Sequence, residues 1–160
     1  TCMFNVARSF FEFLESESSG KCPPCREGLA QMLHILELIT RGEGTHEHLG
    51  QLETLAELLS EASLCALGKT AANPVLSTLR YFRDEYVEHI EHKRCPAKEC
   101  KGLFRYEILA NCTGCMICAK KCPVKCITGE RKKLHVIDQQ ACTKCGTCYE
   151  KCPFDAIAKV

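Results

Sequence analysis

The chain has 160 residues, a formal net charge of +1 and 15 cysteines. A cysteine content this high means that disulfides or metals dominate the structure, and the odd count with many Cys-x-x-Cys pairs disfavours a disulfide framework. Nothing resembling a signal peptide opens the sequence, and no apolar run is long enough to span a bilayer. We therefore expect a cytoplasmic protein, because a reducing compartment leaves clustered thiolates free to bind metal.

Helices are predicted for the first ninety residues. Apolar side chains recur at helical spacing in residues 4–17, 26–40, 45–60 and 73–90. Thr45 is placed to cap the third stretch, and Asn73-Pro74 is a typical helix start. Four amphipathic helices with short connections favour a small four-helix bundle, which we assign to residues 1–93.

The helical pattern ends at residue 94, and a linker is predicted over residues 94–102. Beyond the linker, short strands alternate with turns rich in Gly, Lys and Cys. The strands are expected at 104–110, 126–128, 134–137 and 156–159. The fold class is therefore α+β, with a second domain over residues 103–160.

This second domain carries one cysteine motif twice. The spacing C-x2-C-x2-C-x3-C-P begins at Cys112 and again 30 residues later at Cys142. It is the ligand run of bacterial ferredoxins with two [4Fe–4S] clusters, in which the fourth cysteine of each run ligates the other cluster. The predicted ligands are Cys112, Cys115, Cys118 and Cys152 for cluster I, and Cys142, Cys145, Cys148 and Cys122 for cluster II. The doubled register disfavours the alternatives, two zinc sites or coincidence.

Cys126 lies outside both ligand sets. It follows Cys122 by four residues, and the second copy has Ala156 at the matching place after Cys152. A small buried residue suits that position, so we interpret Cys126 as a packing residue.

The helical part has a cysteine pair of its own, Cys22-Pro-Pro-Cys25, with Cys65-Ala-Leu-Gly68 forty residues later. Taken alone, the pair fits a redox dithiol, a lone zinc knuckle or one edge of a cluster. A thioredoxin-like dithiol expects a preceding strand, and the residues before this pair are predicted to be helical. The dithiol is therefore the weaker interpretation.

A family resemblance rests on the run Glu17-Ser-Ser19-Gly20-Lys21-Cys22-Pro-Pro-Cys25-Arg26-Glu-Gly28. It resembles the E-S-C-G-K-C-x-P-C-R-x-G segment of the NADH-binding flavoprotein subunit of respiratory complex I and of related subunits of NAD(P)-linked, electron-bifurcating [FeFe]-hydrogenases. Thr1-Cys2-Met3 and Cys65-Ala-Leu-Gly68 also fit, and the appended ferredoxin favours the hydrogenase branch. The resemblance implies that FMN- and NAD(P)-binding domains precede Thr1. No G-x-G-x-x-G fingerprint occurs in the chain itself.

The resemblance also implies a third iron–sulfur cluster, held in the helical domain by Cys22, Cys25 and Cys65. The family's first cluster cysteine falls on Ser19, which departs from the pattern. Serine could ligate through its oxygen, the cluster could be a [3Fe–4S], or the site could be empty. The serine could also be an engineered change.

Three cysteines remain unassigned: Cys2, Cys95 and Cys100. With one histidine they make a complete tetrahedral zinc set, and without a C-x2-C edge they do not suit an iron cube. We choose His89 over His92, because its spacing lets the helix end and the linker fold back onto one point. The alternative is three unrelated buried thiols and a solvated histidine. The resemblance to the hydrogenase group implies the same cluster of three cysteines and one histidine.

The two halves of the chain differ in charge, with −5 for residues 1–100 and +6 for residues 101–160. Few aromatic residues accompany the basic half, so it predicts an acidic redox partner such as a ferredoxin and not nucleic acid. The predicted function is an electron relay between a flavin and NAD(P)H site on the missing N-terminal part and another subunit of a multisubunit oxidoreductase or hydrogenase. The alternative is a docking module with redox-inactive clusters. We predict no catalytic residues in this part of the protein.

Overall fold

A computed structural model describes all 160 residues. The chain divides into two compact units, Thr1–Leu103 and Phe104–Val160. The first unit is helical, and the second contains two small antiparallel sheets with short helices. The predicted order of a helix-rich part followed by a part built from short strands is confirmed. None of the helices combines the length and the apolar character that a membrane crossing needs.

The first unit has six helices: α1 Met3–Glu17, α2 Pro23–Arg41, α3 His46–Ala62, α4 Ala66–Thr70, α5 Asn73–Tyr81 and α6 Arg83–Ile90. As predicted, Thr45 caps α3: its hydroxyl accepts the backbone N–H of His48, and the His48 ring accepts the N–H of Thr45. The stretch predicted as a single last helix is divided into α5 and α6, because Phe82 leaves the helical region at φ −131° and ψ 33°.

One apolar core lies among α1, α2, α3, α5 and α6. Its fully buried side chains include Phe4, Leu29, Leu52 and Tyr86, and the Tyr86 hydroxyl pairs with Thr78 at 2.6 Å. The same core takes in Cys95, Cys100 and Leu103. The segment 94–102, predicted as a linker, is therefore part of the first unit.

The second unit contains β1 Tyr106–Ile108, α7 Ile117–Lys121, β2 Ile127–Thr128, β3 Val136–Ile137, α8 Thr147–Glu150 and β4 Ile157–Lys159. Strand β1 pairs with β4 and β2 with β3, both antiparallel. Each strand is shorter than the stretch predicted for it. Each cysteine loop leads into one short helix, so the sequence repeat is also a structural repeat.

The two cysteine loops have the same backbone curl. Three positions with left-handed φ recur in each copy: Gly114 and Lys144, Met116 and Gly146, and Lys125 and Asp155. At Gly114 the curl leaves no room for a side chain, since a Cβ there would come within 2.5 Å of the Lys132 backbone nitrogen. This backbone conformation directs the first three cysteines of each loop into the same cavity.

Candidate metal centres

One cavity of the second unit collects the first predicted ligand set. It has a volume of about 320 Å³, its open mouth included. The cysteines that line it are Cys112, Cys115, Cys118 and Cys152. Ile108, Ile117 and Ile157 add apolar walls, together with the ring of His135. The structure thus brings together the four thiols that the sequence assigns to cluster I.

A second cavity, of about 300 Å³, collects the other set. Its cysteines are Cys122, Cys142, Cys145 and Cys148, with Cys126 as a fifth. Soft thiolate donors in an apolar shell are the environment that iron–sulfur clusters occupy. Both cavities therefore fit a [4Fe–4S] cluster by the chemistry of their donors.

Backbone amides donate to two of the predicted ligand sulfurs. The N–H of Lys144 lies 3.4 Å from Cys142 Sγ, and the N–H of Ala156 lies 3.3 Å from Cys152 Sγ. Amide hydrogen bonds of this kind stabilise the negative charge on a cluster and raise its reduction potential. The protein therefore supplies part of the polar environment from its main chain.

The thiols of one loop differ in acidity. Hydrogen bonding by the Thr147 side chain lowers the pKa of Cys145, whose Sγ lies 3.4 Å from Thr147 Oγ1. Burial raises the pKa of Cys148 to about 11. A bound metal cation would offset the free-energy cost of ionising this buried thiol, because coordination deprotonates a thiol outright.

Cys126 is buried beside the second cavity. Its Sγ lies 3.5 Å from Cys122 Sγ. Burial, followed by the hydrogen bond to Cys122, raises the pKa of Cys126 to about 12. Cys126 therefore remains a protonated thiol at neutral pH, and its packing role stays a prediction.

The cysteines of the helical unit lie near helix starts. Cys22 occupies the N-cap position of α2, Cys25 lies in the first turn of α2, and Cys65 occupies the N-cap position of α4. The serine beside them is Ser18, whose Oγ lies 3.6 Å from Cys25 Sγ. Ser19, predicted at the ligand position, is exposed.

A buried hydroxyl supports the presence of a further group at this place. Ser63 is 2% exposed, and its Oγ has no hydrogen-bond partner within the protein. Gly68 fits tightly between Ser63 and Cys25, since a Cβ on Gly68 would lie 2.6 Å from Ser63 Oγ and 3.3 Å from Cys25 Cβ. An unpaired buried hydroxyl costs about 1–3 kcal/mol. A sulfur-rich group bound at these thiols would accept its proton, so the residues fit an iron–sulfur cluster.

Four further metal-binding side chains meet in the core of the first unit. Cys2, His89, Cys95 and Cys100 are all buried, and their ligand atoms lie within 4.8 Å of one another. Cys2 Sγ is 3.3 Å from His89 Nε2 and 3.5 Å from Cys100 Sγ, and Cys100 Sγ is 3.4 Å from His89 Nε2. His92 is exposed. The structure therefore assembles the predicted set with His89.

The orientation of His89 suits a metal ligand. Its Nδ1 lies 2.7 Å from the Glu85 carbonyl oxygen, so Nδ1–H donates there and Nε2 faces the sulfurs. The Cys100 thiol, followed by His89, lowers the pKa of Cys2. Burial alone would lower the pKa of His89, but the hydrogen bonds to Cys2 and to the Glu85 carbonyl, with the negative charges of both residues, together raise it. Three sulfurs and one imidazole nitrogen are a zinc donor set.

Sequence reasoning missed three residues at these sites: Ser63, His135 and Thr147. His135 follows Tyr106 by 29 residues, close to the 30-residue repeat, so a comparison of the two copies could have found it. Ser63 carries no pattern of its own and becomes visible only through its burial.

Two family models match the chain. The "NADH-ubiquinone oxidoreductase-F iron-sulfur binding region" matches residues 5–89, and the "4Fe-4S dicluster domain" matches residues 111–157. Together they cover Cys22, Cys25, Cys65, His89 and both cysteine loops of the second unit. Both halves of the chain therefore match iron–sulfur families.

The chain is also similar to individual proteins. It is 47% identical over 159 residues to the NADP-reducing hydrogenase subunit HndC of Solidesulfovibrio fructosivorans, a match that covers 99% of this chain and 32% of that protein. It is 43% identical over 96 residues to an NADH-quinone oxidoreductase subunit of Mycobacterium tuberculosis (strain ATCC 25618 / H37Rv), covering 60% of this chain and 22% of the relative. The chain thus spans about a third and about a fifth of these relatives.

A solved structure has a similar fold. It is the crystal structure of an NAD+-reducing [NiFe]-hydrogenase in the H2-reduced state, with a TM-score of 0.55 and 30% sequence identity. The match covers 57% of this chain and 16% of that one. The similarity to subunits of hydrogenases and of NADH-quinone oxidoreductases confirms the resemblance found in the sequence.

Proposed function

Because the chain belongs to the family of the NADH-ubiquinone oxidoreductase-F iron–sulfur binding region, we propose that it is an iron–sulfur electron relay. It would carry electrons between a flavin and NAD(P)H site on another part of the protein and a redox partner such as a hydrogenase subunit or a ferredoxin. The observation that carries the proposal is the pair of cavities in the second unit, each lined by one complete predicted ligand set.

We assign cluster I to Cys112, Cys115, Cys118 and Cys152, and cluster II to Cys142, Cys145, Cys148 and Cys122. A bound [4Fe–4S] cluster supplies one-electron redox chemistry, which the side chains of this chain lack. The protein contributes sulfur ligands, amide donors and apolar walls, and these set the potential at which each site takes up an electron.

In the helical unit we propose a third iron–sulfur cluster on Cys22, Cys25 and Cys65. The predicted four-helix bundle, with its last helix divided into α5 and α6, would hold the loop before α2 against the start of the additional short helix α4. A serine hydroxyl would take the fourth position, with Ser19 at the family's ligand position and Ser18 nearer to Cys25 Sγ, at 3.6 Å. Oxygen is a harder ligand than sulfur, so this cluster would be the least tightly held of the three.

Zinc is proposed for Cys2, His89, Cys95 and Cys100. The site would be structural, since four protein ligands leave no open position for a substrate. It would join the start of α1 to the segment that follows α6. Glutamates support the same junction: Glu99 Oε2 accepts the N–H of Cys2 at 3.1 Å, and Glu85 Oε2 accepts the N–H of Met3 at 3.0 Å.

The docking surface is proposed on the basic half. Six exposed cationic residues lie near the ligand runs: Lys120, Lys121, Lys125, Arg131, Lys132 and Lys133. Lys133 pairs with Glu130, so its charge is partly offset. The partner would be acidic, and both would work in the cytoplasm, where free thiols persist.

Redox titration followed by electron paramagnetic resonance tests the proposed function. The proposal predicts reversible one-electron reduction of at least two clusters in the physiological range. Clusters that stay unreduced across that range would support the rival proposal, a docking module that clusters merely stabilise.

A further inference from the structure

His135 is a buried polar residue in the wall of the cluster I cavity. It is 1% exposed, and its two hydrogen-bonding neighbours are both sulfur atoms. Nε2 lies 3.0 Å from Met116 Sδ, and Nδ1 lies 3.9 Å from Cys112 Sγ. Because buried polar groups in native proteins are normally hydrogen-bonded, the imidazole N–H is expected to use one of these sulfurs.

The fold holds this ring in a fixed place. A Cβ on Gly129 would come within 2.8 Å of the His135 ring, so the absence of a side chain there makes room for the imidazole. The position is also specific to one copy of the repeat. In the cluster II cavity Tyr106 takes the matching place, two residues before Ile108 as His135 is two residues before Ile137.

The two rings therefore give the two cavities different chemistry. The Tyr106 hydroxyl ends beside Gly146, the repeat counterpart of Met116, at 3.2 Å from where a Cβ would stand. His135 instead places a ring nitrogen toward the ligand Cys112. A metal-bound thiolate is negatively charged, whereas a thioether is a weak acceptor, so the imidazole proton belongs on Nδ1.

We propose that His135 is a positioning residue for cluster I, whose Nδ1–H donates a hydrogen bond to Cys112 Sγ and raises the reduction potential of this cluster relative to cluster II. The inference rests on the proposed function, since it needs a cluster on Cys112. Donors to ligand sulfur stabilise the reduced cluster, which carries more negative charge than the oxidised one. Cluster I would therefore be reduced at a higher potential than it would be without this ring.

The test compares midpoint potentials in the full chain. His135→Phe keeps a ring and removes both nitrogens, so one of the two ferredoxin potentials should fall while iron content stays unchanged. His135→Asn returns a donor near the Nδ1 position and should recover part of the loss. Tyr106→Phe is the matched control in the other cavity and should leave the cluster I potential unchanged.

Met116→Leu tests the assignment of the proton. With the proton on Nδ1, this variant should keep the parent potentials. If Met116→Leu lowers the same potential as His135→Phe does, or if His135→Phe with full iron lowers neither, the proposal is wrong.

His135→Tyr covers the case in which Phe is not tolerated, because it copies the residue of the other cavity. The reduction potential of cluster I should then fall toward that of cluster II. Loss of iron in every His135 variant, Asn included, would show a purely structural role and overturn the proposal. Failure of the proposed function would be visible earlier, as a parent protein without reducible clusters.

Discussion

The zinc site offers the most quantitative prediction. The double variant Cys95→Ser, Cys100→Ser removes two of the four donors and should abolish binding of one zinc per chain. Cys2 and Cys100 are 98 residues apart in sequence, and their sulfurs lie 3.5 Å apart. A cross-link that closes a loop of about 100 residues stabilises a protein by about 4.7 kcal/mol in the chain-entropy treatment. Zinc bound to the unfolded chain reduces this gain, so the value is an upper bound.

We therefore expect the double variant to lose between about 2 and about 4.7 kcal/mol of stability in the first unit. For a unit of this size each kcal/mol shifts the unfolding temperature by about 4–8 °C, so Tm should fall by at least about 8 °C. Elemental analysis measures the zinc, and far-ultraviolet circular dichroism follows the helices during heating. Proteolysis within residues 94–102 should become faster, because Cys95 and Cys100 anchor that segment. Iron bound by the second unit should not change, since that unit has a core of its own.

A pair of histidine variants provides the control. His89→Gln should weaken zinc binding, whereas His92→Gln, at an exposed position on the same part of the chain, should not. Finding no zinc in the parent protein purified without chelator would refute the reasoning. So would a double variant that keeps both its zinc and its Tm.

Three further predictions concern the iron sites and the docking surface. Ser19→Cys should give a full [4Fe–4S] signal in electron paramagnetic resonance, because a fourth thiolate binds iron better than a hydroxyl; an identical spectrum before and after would mean that Ser19 is not at the ligand position. Gly114→Ala should lower the iron content of the second unit, since the left-handed backbone alone costs about 1–2 kcal/mol for a residue with a Cβ and the new Cβ would stand 2.5 Å from the Lys132 nitrogen; unchanged iron would contradict the required left-handed loop conformation. Electron transfer to an acidic partner should slow as salt rises, because the Debye length falls from about 10 Å at 0.1 M to about 3 Å at 1 M; a rate indifferent to salt would leave the lysines only a role in tuning the potentials.

Much of the ferredoxin part could be predicted from spacing alone. The spacing within one run predicts that its first three cysteines face the same cavity. The repetition of the motif predicts that the fourth cysteine of each run faces the cavity of the other run. The cysteine motif alone does not predict that Tyr106 and His135 occupy matching places, because the strands that carry them lie outside the motif. That correspondence depends on how β1 and β3 are placed against the loops.

The helical unit was less predictable at its boundaries. Residues 73–90 have one continuous apolar period, yet the helix is interrupted at Phe82, whose backbone leaves the helical region and whose side chain is exposed. Residues 94–102 have too few aliphatic side chains to predict any burial, and in the structure Cys95 and Cys100 are the two buried residues of this segment. A segment that packs by its thiols cannot be distinguished from a linker until its metal-binding partners are recognised.

Iron and sulfide analysis combined with redox titration tests the central claim most directly. The chain with Cys22→Ser and Cys25→Ser should lack the helical cluster and keep the two clusters of the second unit. It should then contain about eight iron and eight sulfide per chain, the content of two cubane clusters, and each cluster should take up one electron reversibly. A content near four, or clusters that cannot be reduced and reoxidised, would contradict the account.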